Sequence, residues 1–384
     1  GIRVIRAFNA EKYQENRFEK VNDDLTNMQL FNQKCFAILN PIMMLVMNGL
    51  TLGIYVIGTY LINNAIISVK ISLFSDMVIF SSYGIQVIMS FLMLAMIFMM
   101  WPRAQISARR INEVLDCKVS IKDGKDDIKP TEVGTVEFKN VSFKYPDADE
   151  YLLRNISFKV NKGETIAFIG STGSGKSSLI NLVPRFYDAT DGEVLVDGVN
   201  VKNYSLEELH NKLGYIPQKA VMFTGTVKSN VAYGTKKGKK PSDKKVDEAI
   251  NIAQAEEFVS KMEGGLDAHI ARGGTNVSGG QKQRLAIARS IARDPEIYIF
   301  DDSFSALDYK TDATLRSELK KYTKDATSMI VAQRIGTIIN ADKIVVLDKG
   351  TCVGIGTHQE LLKNCEVYKE IALSQLSKEE LENA

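Results

Sequence analysis

The sequence predicts an all-α membrane part followed by an α/β domain that contains a helical subdomain. Three observations lead to this fold class. Two long stretches near the N-terminus carry no charged residue, short apolar β-type runs alternate with helical stretches beyond residue 135, and the glycine-rich run 170–177 stands between one such run and a helix. A glycine-rich turn between a strand and a helix is typical of α/β proteins. The helical subdomain is expected at about residues 219–290.

The overall composition limits the classes of protein to which this chain can belong. Its 384 residues allow two or three domains. The formal net charge of +2 gives no electrostatic reason to expect a nucleic-acid partner, so we predict none. A basic run at 236–240 lies between turn-forming residues and is interpreted as a solvated loop. The four cysteines show no CxxC spacing, which favours reduced structural thiols over a metal or redox site: Cys35, Cys117, Cys352 and Cys365.

Two uncharged stretches are long enough to cross a bilayer. No Asp, Glu, Lys or Arg occurs at 35–69 or at 77–102, and about 20 apolar helical residues span the hydrocarbon core. We predict transmembrane helices at about 36–62 and 73–101, joined by a turn near Asn63 and Asn64, with a kink at Pro41. A pair of buried core helices is the alternative, which the length of the stretches disfavours.

Charged residues flank the two spans asymmetrically. Basic residues precede the first span and follow the second, whereas the connecting loop carries only Lys70 and Asp76. The positive-inside bias then places both outer ends, and the α/β domain after them, in the cytoplasm. The sequence therefore predicts a multi-pass protein of the cell membrane, in contact with lipid. The flanking basic residues are Arg3, Arg6, Lys12, Arg17, Lys20, Lys34, Arg103, Arg109 and Arg110.

The start of the chain and the polar residues of the first span add two expectations. Apolar residues recur at roughly helical spacing from Ile2 to Met28, so Gly1 looks like a point inside a helix of a longer protein. Asn40 and Asn48 lie within the first span. They either line a substrate path or, as we favour, form a hydrogen bond between helices.

A change of composition marks the domain boundary. We expect a partial transmembrane domain at 1–116, a polar linker at 117–134, the α/β domain at 135–373 and a polar tail at 374–384. Apolar strands that alternate with helical stretches predict a sheet covered by helices on both faces. The runs assigned to strands are 135–138, 156–160, 165–169, 194–196, 297–300, the segment at Val331, and 344–347.

The glycine-rich run fits the phosphate-loop pattern G-x-x-x-x-G-K-[ST]. Its glycines let backbone N–H groups point at phosphate oxygens at a helix N-terminus, where the helix dipole favours anions. In this pattern Lys176 reaches the β- and γ-phosphates of ATP, and the Ser177 hydroxyl ligates Mg²⁺. The residues expected to hold ATP here are Gly170, Ser171, Thr172, Gly173, Ser174, Gly175, Lys176, Ser177 and Ser178.

A second motif is a hydrophobic run that ends in a carboxylate, Ile297-Tyr-Ile-Phe-Asp301. An acid at the end of such a strand holds Mg²⁺ beside a phosphate loop. On its own this run is a weak signal. With the phosphate loop upstream, it makes Asp301 the expected second metal residue.

A third motif brings a family resemblance. The run Asn276-Val-Ser-Gly-Gly-Gln-Lys-Gln-Arg284 resembles the signature of ATP-binding cassette (ABC) proteins. The order of the motifs is also similar to that family, and the resemblance covers essentially the whole chain. The first hundred residues resemble the last two transmembrane helices of an exporter half. The motifs in order are Tyr145, the phosphate loop, Tyr215-Ile-Pro-Gln218, the signature, Asp301, Ser305-Ala-Leu-Asp308 and Gln333.

The resemblance implies roles for the remaining site residues. Tyr145 would stack on adenine; a half-buried strand aromatic is the less favoured alternative. Gln218 would sense the γ-phosphate and Mg²⁺ and connect them to the membrane domain. Asp308 would contact a partner cassette. The residues implied to bind the ATP held by that partner's phosphate loop are Ser278, Gly279, Gly280 and Gln281.

Two positions depart from the family pattern. The glutamate that polarises water in active cassettes is Asp302 here, and the switch histidine is Gln333. Loss of a general base costs about 10²- to 10⁴-fold, and glutamine can donate a hydrogen bond but cannot titrate. Neutral drift could explain either change alone; both changes in one half-site resemble the degenerate half of heterodimeric ABC exporters. Arg272, before the signature, is a third departure, because exporters usually carry an acid there.

These motifs lead to one reading and two alternatives. We expect a half-transporter of the type IV exporter class that pairs with a different half-transporter carrying the consensus glutamate and histidine. Hydrolysis would occur mainly at the partner's site, and the substrate would be a small hydrophobic or amphipathic molecule. A slow homodimeric exporter is one alternative. A non-transporting ATP-dependent clamp is the other, and the two uncharged spans argue against it.

Overall fold

The computed structural model describes residues 1–124, 129–234, 236 and 238–375. The chain divides into two compact units, Gly1–Lys118 and Val119–Ala384. Parts of three predictions lie outside the described residues: the linker at 125–128, Lys237 in the basic run, and the tail at 376–384.

The first unit consists of helices only. They are α1 (Ile2–Ala7), α2 (Glu11–Asn64) and α3 (Ile67–Leu115). Both long helices are apolar and long enough to cross a membrane, and the predicted spans lie inside them. A side chain on Gly58 would collide with Met77, and one on Gly84 would meet Leu50 at 3.0 Å, so these glycines let α2 and α3 approach closely.

The helices differ from the sequence expectation at their ends. The helix that begins at Ile2 stops at Ala7, and Asn9 takes a left-handed φ of 50° before α2 begins. The helix α2 then continues through Pro41 to Asn64 without a break. The third helix runs on through Pro102 to Leu115, beyond the apolar stretch. Polar residues of high helix propensity prolong a helix even where they cannot lie in lipid.

The second unit is α/β, as the sequence predicts. Its strands are β1 (Val136–Phe143), β2 (Leu153–Val160), β3 (Thr165–Gly170), β4 (Asp191–Val196), β5 (Val199–Asn200), β6 (Leu213–Ile216), β7 (Gly225–Thr226), β8 (His269–Ile270), β9 (Ile297–Asp301), β10 (Thr327–Val331), β11 (Lys343–Asp348) and β12 (Thr351–Gly356). Its helices are α4 (Lys176–Ile180), α5 (Leu206–Lys212), α6 (Val227–Val231), α7 (Asp243–Ile252), α8 (Glu256–Ser260), α9 (Gly279–Ala292), α10 (Tyr309–Tyr322), α11 (Ile335–Ile338), α12 (His358–Asn364) and α13 (Glu366–Gln375).

A six-stranded sheet forms the centre of this unit, in the order β12-β11-β3-β10-β9-β6. Five strands are parallel, and β12 pairs antiparallel with β11 at the edge. All five residues of β9 are buried, as expected for a strand covered on both faces. Val331 pairs with Phe168 on one side and with Asp301 on the other, so β3, β9 and β10 end side by side. Ligands bind at such carboxyl ends in open α/β sheets.

The prediction of a single helix-covered sheet is wrong for β1, β2 and β4. These strands form a separate antiparallel sheet with β5, in the order β2-β1-β4-β5. Both β1 and β2 alternate between buried and more exposed residues, because only one face of this sheet packs against the core. The two sheets share one apolar cluster, which includes Phe138, Phe158 and Phe168.

The helices α11, α12 and α13 pack against one face of the parallel sheet. Tyr368 and Ala372 of α13 pack in one buried cluster with Ile335 and Ile338 of α11. The helix α13 reaches Gln375, so Ser374 and Gln375 belong to it and not to a polar tail that begins at 374.

We expect acid to destabilise this region through His358. The imidazole is 3% exposed, its Nδ1 lies 2.7 Å from the Tyr368 hydroxyl, and burial lowers the pKa of His358. The unfolded chain therefore binds this proton at a higher pH than the folded chain does. The stability gained from a neutral His358 is present above about pH 6.5 and is lost as the pH falls below it.

The measurement is urea unfolding of the second unit in the purified protein at pH 7.5 and at pH 5.5. The His358→Gln variant is compared with the native chain. The variant should lose less stability between the two pH values. An equal loss in both proteins would show that other groups determine the acid sensitivity.

Candidate functional site

The phosphate loop lies between the end of β3 and the start of α4. Its glycines adopt positive φ values of 154° at Gly170, 84° at Gly173 and 94° at Gly175. A side chain at Gly170 would collide with the Leu347 carbonyl, and one at Gly175 would lie 2.6 Å from Leu153. The loop conformation therefore needs glycine for backbone freedom at all three positions, and at Gly170 and Gly175 also for space.

Lys176 lies folded against this loop. Its Nζ donates to the carbonyls of Gly170 and Ser171, each at 2.8 Å, and the residue is only 9% exposed. Burial lowers the pKa of Lys176, while the nearby charges of Asp302 and Asp301 oppose that shift. The loop thus presents a positive charge directly beside its own backbone, as a phosphate site requires.

Ser177 and Asp301 meet although 124 positions separate them in sequence. The Ser177 hydroxyl donates to Asp301 Oδ1 at 2.8 Å. On the other oxygen, Oδ2, Asp301 accepts from the Tyr215 hydroxyl at 3.4 Å, and the same hydroxyl lies 3.0 Å from Asn181 Oδ1. Burial raises the pKa of Asp301, and the bonds from Ser177 and Tyr215 oppose the rise.

This donor set fits Mg²⁺, which prefers oxygen ligands and takes several of them from water and phosphate. Within the described part of the chain, no three His, Cys, Asp or Glu side chains form a cluster suited to a metal. A site for Mg²⁺ at Ser177 and Asp301 does not require such a cluster, because this ion takes few protein ligands in addition to phosphate oxygens. Sequence reasoning gave Tyr215 and Asn181 no role; the position of Tyr215 at the end of an apolar run was the available signal.

Asp302 forms the centre of a small amide cluster. Its Oδ2 accepts from Gln333 Nε2 at 2.8 Å and from Gln218 Nε2 at 3.1 Å. Its backbone has a left-handed φ of 46°, and its N–H donates to the Val331 carbonyl at 3.0 Å. The residue is 8% exposed, and burial raises the pKa of Asp302 against the opposing Gln218 bond. The structure thus brings together Asp302 and Gln333, the two residues that depart from the family pattern, and Gln218, the expected γ-phosphate sensor.

A cavity of about 290 Å³ joins the loop to this cluster. It is concave and mixed in polarity, as expected for a site that holds a charged ligand. Its lining residues are Leu152, Thr172, Gly173, Gly175, Lys176, Ser177, Ser178, Gln218, Asp302, Val331 and Gln333.

Tyr145 lies next to the loop but is not among the residues that line the cavity. Its hydroxyl is 2.8 Å from Ser178 Oγ. The edges or faces of its ring meet Phe143 and Tyr187, with centroids at 5.0 Å and 5.2 Å. The half-buried ring is therefore held by other aromatic side chains and by α4.

The signature residues lie at the start of α9, away from the cavity lining. The Ser278 hydroxyl accepts from the Gln281 N–H at 3.3 Å, and the Ser278 N–H donates to Gln281 Oε1 at 2.8 Å. This reciprocal capping box fixes the helix start, where Gly279 and Gly280 contribute backbone without side chains. Asp308 caps α10 in a similar way by accepting from the Thr311 N–H at 3.0 Å. Ser278, Gly279 and Asp308 are exposed.

An α/β unit with this phosphate loop, in one chain with two long apolar helices, defines a class of membrane proteins that bind a nucleotide. The comparisons with known proteins agree. Residues 153–305 match the profile described as ABC transporter, and residues 1–91 match the ABC transporter transmembrane region. The chain belongs to the ABC transporters, as the sequence motifs predict.

Individual relatives support the same assignment. An uncharacterized ABC transporter ATP-binding protein of Mycobacterium tuberculosis is 40% identical over 98% of this chain and 64% of its own length. The ATP-dependent lipid A-core flippase of Escherichia coli is 33% identical over 97% of this chain and 62% of its own length. The structure of a bacterial Atm1-family ABC exporter with ATP bound superposes with a TM-score of 0.84, at 29% identity, over 98% of this chain and 65% of that one.

The chain thus spans a little under two thirds of the length of these curated relatives. The matched transmembrane region and the two apolar helices confirm a membrane-embedded protein with a cytoplasmic cassette. The solved exporter also confirms the predicted fold class of membrane helices followed by an α/β cassette.

Proposed function

We propose that this chain is the ATP-binding and permease half-subunit of an ABC exporter, and that its own nucleotide site is degenerate. The observation that supports this most strongly is the carboxylate after Asp301. It belongs to an aspartate, and both Gln218 and Gln333 donate to its Oδ2. In this proposal residues 1–116 are part of the transmembrane domain, 117–134 are the linker, and the cassette begins at residue 135.

Different residues in and around the loop bind different parts of ATP and its metal ion. In this proposal the backbone N–H groups of 171–178 and the ammonium of Lys176 bind the phosphates, and Tyr145 stacks on the adenine. Ser177 and Asp301, which are hydrogen-bonded to each other, would hold Mg²⁺, and the Gln218 amide oxygen would be a further ligand. The ion supplies positive charge that neutralises the phosphate oxygens.

Hydrolysis at this site is impaired by the position of the base rather than by its pKa. Burial raises the pKa of Asp302, and a higher pKa favours proton acceptance. The aspartate side chain is, however, one methylene shorter than a glutamate, and two amides hold one of its oxygens at the cavity wall. General-base catalysis needs the acceptor within hydrogen-bond distance of the water, so a withdrawn carboxylate costs rate.

Gln333 completes the impairment. A histidine at this position can carry a charge that changes with its protonation, whereas an amide donates hydrogen bonds at every pH. Its Nε2 is bonded to Asp302, and in this proposal the same amide also contacts the γ-phosphate, as the family's switch histidine does. The site is therefore suited to binding ATP and closing on it more than to cleaving it.

The signature, in contrast, is intact. The capped start of α9 exposes Ser278 and Gly279 at a helix N-terminus, a place suited to the γ-phosphate held by a second cassette. We propose that the partner is a different half-transporter with the consensus glutamate and histidine. The partner's loop and Ser278, Gly279, Gly280 and Gln281 then form the competent site, and Asp308 contacts the partner beside it.

The membrane part and one relative support the substrate class that we propose. Over the spans 36–62 and 73–101, both long helices expose many large apolar side chains, which suits a hydrophobic or amphipathic molecule. The relative named as a lipid A-core flippase acts, by its name, on a lipid. We propose a substrate of this amphipathic class for the assembled exporter.

Two alternatives remain distinct from this proposal. A slow homodimer would use Asp302 in both of its sites. A non-transporting clamp would not need membrane helices, and the match of residues 1–91 to the transmembrane region disfavours it.

The test compares two substitutions in the assembled transporter that contains this chain. Asp302→Asn should change ATP turnover by less than about twofold, because the proposed turnover occurs elsewhere. Removal of the partner's catalytic glutamate should lower it by about 10²- to 10⁴-fold. ATPase assays in lipid nanodiscs measure both.

The control is Asp325→Asn, which alters an exposed acid of the same unit. The proposal fails if this half alone hydrolyses ATP and Asp302→Asn stops it. That result would favour the homodimer.

A further inference from the structure

The amide of Gln375 bridges the backbone on both sides of Arg334. Its Nε2 donates to the Gln333 carbonyl at 2.8 Å, and its Oε1 accepts from the Ile335 N–H at 2.9 Å. Gln375 is the last residue of α13, so these bonds join the C-terminal helix to the segment between β10 and α11. Two bonds from one planar amide fix both the position and the direction of the bound backbone.

These backbone groups need such a partner. Ile335 is the first residue of α11, and N–H groups at a helix start have no partner within the helix. Arg334 stands at the capping position and makes no side-chain cap hydrogen bond. Gln375 therefore performs from another helix the task that a local serine or aspartate usually performs.

The helix that carries Gln375 is itself well anchored. Tyr368 and Ala372 of α13 are fully buried with Ile335 and Ile338 in one apolar cluster. Arg316 of α10 adds a bond to the Gly336 carbonyl at 2.7 Å. The segment that carries Gln333 is thus held by α13 at one end and by α10 just beyond it.

We infer that Gln375 is a positioning residue for Gln333: it fixes the backbone so that the Gln333 amide points into the nucleotide cavity. The result of that position is the 2.8 Å bond from Gln333 Nε2 to Asp302 Oδ2. The inference rests on the proposed function, in which Gln333 contacts the γ-phosphate. It gives the C-terminal helix a part in discriminating ATP from ADP.

The test uses the purified membrane protein in detergent and two measurements. The first is the ratio of ADP to ATP dissociation constants at this chain's own site. The second is hydrogen–deuterium exchange of the Ile335 N–H, which donates to Gln375 Oε1. The variants are Gln375→Ala, Gln375→Glu, Gln333→Ala and the double variant Gln333→Ala with Gln375→Ala.

Ser374→Ala is the matched control. Ser374 is exposed, lies next to Gln375 on the same helix, and its hydroxyl donates to the Ile371 carbonyl of that helix. Its loss should leave both measurements unchanged.

We expect Gln375→Ala to lower the ATP preference about tenfold, as Gln333→Ala does, because a hydrogen bond to a charged group contributes about that factor. Exchange at Ile335 should rise about fivefold or more. The double variant should resemble Gln333→Ala alone, since Gln375 acts through Gln333. Gln375→Glu keeps the acceptor for Ile335 and loses the donor to Gln333, so it should fall between the native chain and Gln375→Ala.

Two results would overturn the inference. They differ in whether the proposed function also fails. If Gln333→Ala lowers the ATP preference and Gln375→Ala does not, Gln375 has no positioning role while the proposed site stands. If neither variant changes the preference, the proposed contact of Gln333 with the γ-phosphate fails together with the inference.

Discussion

Ser278→Arg should lower ATP turnover of the assembled transporter by about 10²-fold or more, although this chain's own phosphate loop remains intact. The substitution places a bulky cation at the start of α9, where Ser278 now caps the helix and leaves Gly279 exposed. In the proposed assembly that position faces the γ-phosphate on the partner's loop. Loss of one donor that stabilises a transition state costs about 10²- to 10³-fold. Steady-state ATPase assays in nanodiscs measure the effect.

Ser242→Arg is the matched control, because Ser242 is also an exposed serine that caps a helix, α7, by accepting from the Lys245 N–H. It should cost only the stability of a cap, about 1 kcal/mol. Normal turnover in Ser278→Arg would mean that the competent site does not use this signature, and the proposed division of labour would be wrong.

Lys176→Ala should weaken ATP binding at this chain's own site by about 10²-fold or more. The ammonium lies at the loop, 2.8 Å from the Gly170 and Ser171 carbonyls, and it is the loop's only positive side chain. Charge-assisted hydrogen bonds to phosphate contribute about 1.5–3 kcal/mol each, and one lysine makes more than one. Equilibrium binding of a fluorescent ATP analogue, with the partner's loop disabled, measures the site in isolation.

Lys324→Ala removes an exposed lysine of the same unit and should bind ATP like the native chain. An unchanged affinity in Lys176→Ala would contradict the assignment of the phosphate site. The melting temperature should remain similar in both variants, which separates lost binding from lost folding.

The parts of the site that are predictable from sequence are those in which the spacing of residues along the chain determines their role. The loop 170–177 specifies its own conformation through glycines, and Asp301 follows directly on a buried strand. Parallel strands with adjacent ends then bring Ser177 to Asp301, and a general rule of α/β sheets anticipates this. The 2.8 Å bond between them is the outcome.

The parts that were not predictable depend on contacts between distant segments. The Tyr215 hydroxyl bonds to Asp301 and to Asn181, and the three residues lie on three different segments, so this contact depends on how those segments pack. Gln375 is a single glutamine near a polar end, and its role depends on the packing of α13 against α11. Such contacts are decided by tertiary packing, which leaves no periodic signal in the sequence.

The separation of the two sheets was missed for a different reason. The strands of both sheets are rich in Val, Ile and Phe, so composition alone did not separate them. The alternating burial of β1 contrasts with the continuous burial of β9, and the sequence carries this contrast as polar residues at Glu137, Lys139 and Ser142. Attention to period as well as composition would have assigned β1 to a half-covered sheet.

The length of the two long helices has a mechanical consequence. At 1.5 Å per residue, the 54 residues of α2 extend over about 81 Å and the 49 residues of α3 over about 74 Å. A bilayer core takes up only about 30 Å of either helix. Each therefore acts as a lever arm that continues some tens of ångströms beyond the lipid. A tilt of about 5° at the membrane becomes a displacement of about 4 Å at a point 50 Å along such an arm, by the geometry of a straight helix. A small tilt of such a helix within the bilayer is thus also a movement of several ångströms at its cytoplasmic end.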